Sequence, residues 1–388
     1  MRITVICDVL GESNNGTVLA AKNLISYLVE QGHAVRVVSP AKDTAGEDGY
    51  YVVPPLHLGF VIDKIFEMNG VQLAKADKTI LREAIADSDV VHLLVPLPLS
   101  WAAVKIAREL DIPMTAGFHC QAENLTAHLG LMHVRAADKP VYNFYERIVY
   151  KYCTLIHYPT EFIRNDFERT IGKKTPGRVI SNGVNDLFFE LAKKPRPEKS
   201  PDHKFTIICV GRYSAEKAQQ TLLRAVGTSV HKDCIRLILA GLGPKERKFR
   251  KIAAKYGLDC QFGFYSDREA LAEEIRSADL YVHTAVAELE AISCLEAIVL
   301  GSAALICNST RSATRFFAVD DKCLYRPWDV KDLRRRIDYF FERPEEVERY
   351  RRLYAEKASA YSQRDCMRQM EKMLEDAVEI HQKAAEKK

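Results

Sequence analysis

Eleven short apolar runs, separated by stretches of helical spacing, constrain this chain more than any other feature. RITVICDV, AVRVVSP, DVVHLLVP, IPMTAGFH, LIHYPT and GRVISNG come first, and FTIICVGR, IRLILAG, LDCQFGF, LYVHTAV and ALICNS follow. Short β-branched runs with helices between them fit parallel strands buried on both faces. The two series flank NDLFFELAKKPRPEKSPDHK, whose Pro, Lys and Asp content marks a linker near residues 188–204. A chain of 388 residues also exceeds what one core usually organises. The expectation is an α/β protein of two Rossmann-like domains, 1–188 and 189–360. Their parallel sheets would face a central cleft, with ligands at the C-terminal ends of the strands. The charged tail after Glu346 has no strand signal, and a C-terminal helix over 361–388 is expected to pack back on the first domain.

Composition removes several classes of function. Lys and Arg number 56 against 52 Asp and Glu, a balance that does not suggest a nucleic-acid binder. MRITVICDVLG reads as a strand entering a loop and lacks the basic region, long apolar core and cleavage site of a signal peptide. No apolar run approaches the roughly 18 residues of a membrane span. The ten cysteines are scattered singly without a C-x-x-C pair, which favours buried thiols in a reducing cytosol and offers no metal-ligand cluster. CDVLGESNNG lacks the G-x-G-x-x-G of a dinucleotide oxidoreductase.

Three stretches carry chemistry. AELEAISCLEAIVLG places Glu296 inside a helix that is otherwise apolar nearly all round, starting near Glu290 and ending at Gly301. A carboxylate buried there needs a hydrogen-bonding partner, either a ligand or a neighbouring Arg. VGRYSAEK puts Arg212 and Lys217 in the loop after a strand, and two cations there suit a diphosphate. The start of the Glu296 helix would offer it free N–H groups as well. PVYNFYERIVYKYC sets Val141, Phe144, Tyr145, Ile148 and Tyr152 on one helical face, with Arg147 and Lys151 elsewhere. Aromatics beside basic residues suit an anionic membrane surface, while the plainer reading is a helix packed on the core.

The order of these motifs, with LAGLGP and FGFYS between them, resembles the donor-binding domain of family 4 retaining glycosyltransferases, which have the GT-B fold. In the first half CDVLGESNNGTVLAAKNLISYLVEQGHAVRVV and GFHCQAEN are similar to that family's glycine loop and strand-end histidine segment. ELEAISCLEAIVLGSAALICNSTRSATRFFAVDD looks most like the branch that glycosylates membrane lipids such as diacylglycerol or ceramide.

The resemblance implies roles for particular residues. Arg212 and Lys217 would hold the diphosphate, Glu296 the ribose hydroxyls, and Glu288 and His119 would contact the transferred sugar at the reacting centre. Gly16, Phe264, Ala291, Ile292 and Ser293 would complete the donor side, and Asn14, Glu123 and Asn124 the acceptor side. Ala218, Leu289 and Ala291 stand where many members have glycine, so a Cβ there limits close backbone approach to the ligand. The implied reaction moves glucose or galactose from a UDP-sugar co-substrate to a lipid hydroxyl with retention, and needs no metal or other cofactor. The implied setting is bacterial and cytoplasmic, peripheral on the inner face of the cell membrane. A soluble or polysaccharide acceptor, or a non-catalytic nucleotide-sugar-binding protein, are the alternatives.

Overall fold

The computed structural model describes residues 1–10, 16–59, 63, 73–122 and 138–387. It divides into two compact units, Met1–Asn182 with Arg364–Lys388, and Gly183–Gln363. In the first unit seven strands form one sheet: β1 (Arg2–Ile6), β2 (Ala34–Ser39), β3 (Tyr50–Val52), β4 (Val90–Leu93), β5 (Met114–Gly117), β6 (Leu155–Tyr158) and β7 (Gly177–Val179). Their order is β3-β2-β1-β4-β5-β6-β7, and every pairing is parallel. In the second unit β8 (Phe205–Val210), β9 (Ile235–Ala240), β10 (Asp259–Gly263), β11 (Leu280–His283), β12 (Ala304–Cys307) and β13 (Leu324–Tyr325) run in the order β10-β9-β8-β11-β12-β13, again all parallel. All eleven apolar runs are strands. The two strands that have no such run, β3 and β13, are short edge strands.

Both sheets reverse their strand order beside their first strand, between β1 and β4 and between β8 and β11. Loops leaving neighbouring strands part at such a point, and the crevice at their C-terminal ends is where open parallel sheets bind ligands. In the second unit, the loop after β8 carries Arg212 and Lys217, and the loop after β11 carries Glu288.

The C-terminal helix Gln363–Ala385 belongs to the core of the first unit, where Met367, Met370, Met373 and Leu374 pack among Leu24, Ile25 and Leu28. Each such side chain contributes about 1.5–3 kcal/mol by leaving water. A second cluster surrounds Phe118, whose ring lies 4.8 Å from Phe167 and 5.3 Å from Tyr150.

Two local expectations are corrected. The helix Asp186–Lys193, capped by Asn185 and anchored by buried Phe188 and Leu191, occupies the start of the expected linker. The expected face of Val141, Phe144, Tyr145, Ile148 and Tyr152 is divided: Tyr145 is buried with Tyr142, whereas Phe144 is 46% exposed. The α-helix ends at Ile148 and a 3-10 turn, Tyr150–Tyr152, follows through a non-helical Val149, so the residues beyond lose the helical phase.

Candidate functional site

The cationic loop begins at Gly211, where φ is +151°, and leads into Arg212 and Lys217. Arg212 donates to Glu216 over 3.1 Å, and the Gln219 side chain holds the Arg212 carbonyl at 2.8 Å. Thr284, just past β11, donates to the Lys217 carbonyl over 2.5 Å and so ties this loop to the next strand end. Lys217 Nζ reaches the Glu288 carboxylate directly. Glu288 is also fixed through its backbone, which bridges Ser312. Burial works to raise its pKa, but the Lys217 charge outweighs that effect and the carboxyl is held at about 2.

The next segment turns into the helix Ile292–Val299. Its N-cap, Ala291, is left-handed with φ 62° and ψ 74°, and no side chain caps the first turn. Ala218 is left-handed too, with φ 51°. Both alanines therefore keep a backbone conformation that normally calls for glycine. Gly301, with φ +71°, ends this helix in the expected way.

Glu296 is buried in that helix and forms an ion pair with Arg268, whose side chain is 41% exposed. The neighbouring-Arg alternative is thus realised here. Desolvation raises the Glu296 pKa, with Arg268 opposing it. Ser293 donates to the Val210 carbonyl at 3.5 Å, Ile292 is half-buried, and Phe264 stands 45% exposed after β10.

In the first unit, His119 follows β5 and is buried. Its ring folds back over Gly117, where a Cβ would lie 2.5 Å from His119 Cδ2. His157, on the adjacent strand, faces it edge-on at 5.3 Å. Burial above all, then His157 and His92, hold His119 well below the ordinary histidine pKa, so it is neutral at pH 7. Gly16 opens the helix Gly16–Glu30, and the next residue, Thr17, donates to the His119 carbonyl at 3.4 Å. A Cβ on Gly16 would meet nothing within 4 Å. Asn14, Glu123 and Asn124 lie outside the described residues.

Sequence reasoning missed Arg268, His157 and His283. The signal for His283 was legible: a polar residue ending the apolar run LYVH, five positions before Glu288. Arg268 gave none, because an Arg starting a charged surface helix is ordinary.

Two doubly wound parallel units, the second with cations and carboxylates gathered at its strand ends, define an α/β protein with a polar site at the ends of its strands. Family models narrow this further. The model described as Glycosyltransferase Family 4 matches residues 14–186, and Glycosyl transferases group 1 matches residues 192–358. The chain belongs to the family 4 glycosyltransferases of GT-B fold. It is 24% identical over 325 residues to an alpha-monoglucosyldiacylglycerol synthase of Streptococcus pneumoniae, covering 78% of this chain and 70% of the relative. It is 25% identical over 309 residues to a GDP-mannose-dependent alpha-mannosyltransferase of Corynebacterium glutamicum, covering 73% and 66%. Among solved structures, Anabaena HepE in complex with UDP-glucose superposes with a TM-score of 0.74 at 16% identity, covering 97% of this chain and 100% of that one. The catalytic domain of a cholesterol-alpha-glucosyltransferase from Helicobacter pylori is 44% identical, covering 40% of this chain and 99% of that one, with a TM-score of 0.38.

Proposed function

We propose that this glycosyltransferase moves a hexose, glucose or galactose, from a UDP-sugar to the hydroxyl of a membrane lipid such as diacylglycerol or ceramide, with retention at the anomeric carbon. The observation that carries the donor half is the pairing of Lys217 with Glu288 across the ends of β8 and β11, with Arg212 on the same loop as Lys217 and the uncapped helix that holds Glu296 following. Arg212, Lys217 and the helix N–H groups stabilise the charge that develops on the departing diphosphate. Glu288 and neutral His119 address the sugar, and Glu296 accepts from the ribose once Arg268 yields. The leaving phosphate takes the acceptor's proton, so no metal enters the scheme.

The lipid acceptor is supported by the diacylglycerol-glycosylating relative and by a basic, aromatic surface in the first unit. There Phe144 packs edge-on against Trp101 at 5.3 Å, and Arg108 and Lys151 lie over Tyr152 at 4.4 and 4.7 Å. Rings with cations around them suit an anionic interface. Among the described residues no helix is long and apolar enough to cross a membrane. Attachment in this reading is peripheral, on the cytoplasmic face.

The mannosyltransferase relative favours a second donor reading, GDP-mannose. Purified protein offered UDP-glucose, UDP-galactose or GDP-mannose with diacylglycerol, ceramide, a sterol or a soluble glycan, in chelator, separates these by mass of the product. Hexosyl-diacylglycerol or hexosyl-ceramide from a UDP-sugar is the expected result. Transfer only to the glycan, only from GDP-mannose, or only after a divalent ion is restored overturns the corresponding part.

A further inference from the structure

Two groups assigned above to the donor are occupied with each other: Lys217 Nζ sits on the Glu288 carboxylate. If Lys217 goes to a diphosphate, Glu288 loses its cation while only 13% of its side chain is exposed. An uncompensated carboxylate at that depth is strongly unfavourable. A second partner has to be at hand.

His283, at the end of β11, is 2% exposed, and its Nε2 lies 3.6 Å from Glu288 Oε1. Its tautomer follows from a chain of hydrogen bonds that ends on a carbonyl. The Val210 carbonyl can only accept, so Ser293 donates to it at 3.5 Å. Ser293 has then used its proton, and Tyr281 donates to Ser293 at 3.5 Å. The Tyr281 oxygen is left to accept from His283 Nδ1, 3.3 Å away. A neutral His283 therefore carries its proton on Nδ1, and Nε2 is a bare lone pair aimed at a carboxylate. Two acceptors facing each other stand off, which accounts for a separation beyond hydrogen-bond length.

We infer that His283 is the reserve counter-cation of Glu288: when a diphosphate draws Lys217 away, His283 Nε2 takes a proton from solvent and donates it to the carboxylate. This rests on the reading of Lys217 as a diphosphate ligand. Glu216, which also bears on Lys217, is a carboxylate paired with Arg212 and cannot replace a cation. Tyr281 and the Cys209 and Cys294 thiols are all held protonated by burial, which raises each pKa. The forces on His283 point the same way: burial keeps it neutral, Lys217 adds to that, and Glu288 opposes both. Moving the Lys217 charge onto phosphate removes one depressing influence and leaves the opposing one uncovered. Donor binding and protonation of His283 are thereby coupled, and each favours the other.

Calorimetric titration of UDP at about pH 8, where its phosphates are already ionised, in two buffers of different ionisation enthalpy, counts the protons exchanged. The expected result is uptake approaching one proton per UDP, roughly the full charge of one imidazole, falling towards zero in His283→Gln. UDP binding that Lys217→Met weakens, yet that takes up no proton in the wild type, overturns the inference. Uptake undiminished in folded His283→Gln also overturns it, by placing the proton elsewhere. If Lys217→Met leaves UDP affinity unchanged, the donor reading fails first, and the proton count is then not attributable to this exchange.

Discussion

Arg268, on the rim of the second unit, closes over the buried carboxylate of Glu296. The same carboxylate is assigned to the donor ribose, so Arg268 and the donor compete for it. Glu296→Gln puts an amide where a hydroxyl needs an acceptor, and UDP affinity should fall by about 1–3 kcal/mol, roughly 5- to 150-fold. Arg268→Met should leave UDP affinity equal or higher while lowering the unfolding midpoint, because Glu296 then lacks its partner in the ligand-free state. Titration of UDP and thermal unfolding of both variants separate the roles. Unchanged UDP affinity in a folded Glu296→Gln would make the ion pair purely structural.

Ala218 and Ala291 hold left-handed backbone at positions where the alanine Cβ costs about 1–2 kcal/mol. Glycine removes that strain but loses about 0.4–1 kcal/mol through the freer unfolded chain. Ala218→Gly and Ala291→Gly should therefore be neutral or stabilising by up to about 1.6 kcal/mol. Ala291→Val should destabilise the protein. Denaturant unfolding measures this, and a clear loss of stability in both glycine variants would contradict the conformational account.

These two cases show what the sequence made legible. The parallel sheets were visible because buried strands such as FTIICV are apolar almost throughout, and the order of motifs, through the family resemblance, grouped Arg212, Lys217 and Glu288. The partners of the buried carboxylates were not visible. Arg268 reaches Glu296 from a different helix, 28 residues away, and such a tertiary pairing leaves no local pattern. The Phe144 face was misjudged for a local reason, the shift from α to 3-10 geometry after Ile148. Single-residue departures from glycine were visible, but only the backbone angles show that the conformation survived them.

Three buried histidines predict acid sensitivity. Burial lowers the pKa of His92 to about 3 and of His157 to about 4, and holds His119 well below 6.5. In the fold all three stay neutral, while the unfolded chain binds protons once pH falls below about 6.5. Their stabilising effect is thus complete above that pH and is lost progressively as pH falls towards the folded values. Each contributes a slope of about 1.4 kcal/mol per pH unit in that window. Urea unfolding at pH 7 and pH 5 should show the gap between the two conditions narrowing in His157→Gln. An unchanged gap would mean that His157 is protonated in the native state.

Exposed Arg147 and Lys151 flank the Phe144 surface. If it docks on anionic lipid, each cation contributes about 1 kcal/mol and the attraction fades with salt. Replacing both by Glu should release the protein from anionic vesicles and preserve transfer to a lipid dispersed in detergent. Co-sedimentation at low and high salt, beside a micellar transfer assay, checks this. Absence of vesicle binding in the wild type at either salt would refute it.

The central claim is retaining hexosyl transfer from a UDP-sugar to a lipid hydroxyl, and the anomeric configuration of the product tests it most directly. Proton NMR of the glycolipid made from UDP-glucose or UDP-galactose, whose donors are α-linked, should show an α-linked hexose on diacylglycerol or ceramide. A β-linked product, or free hexose with no glycolipid, would contradict it.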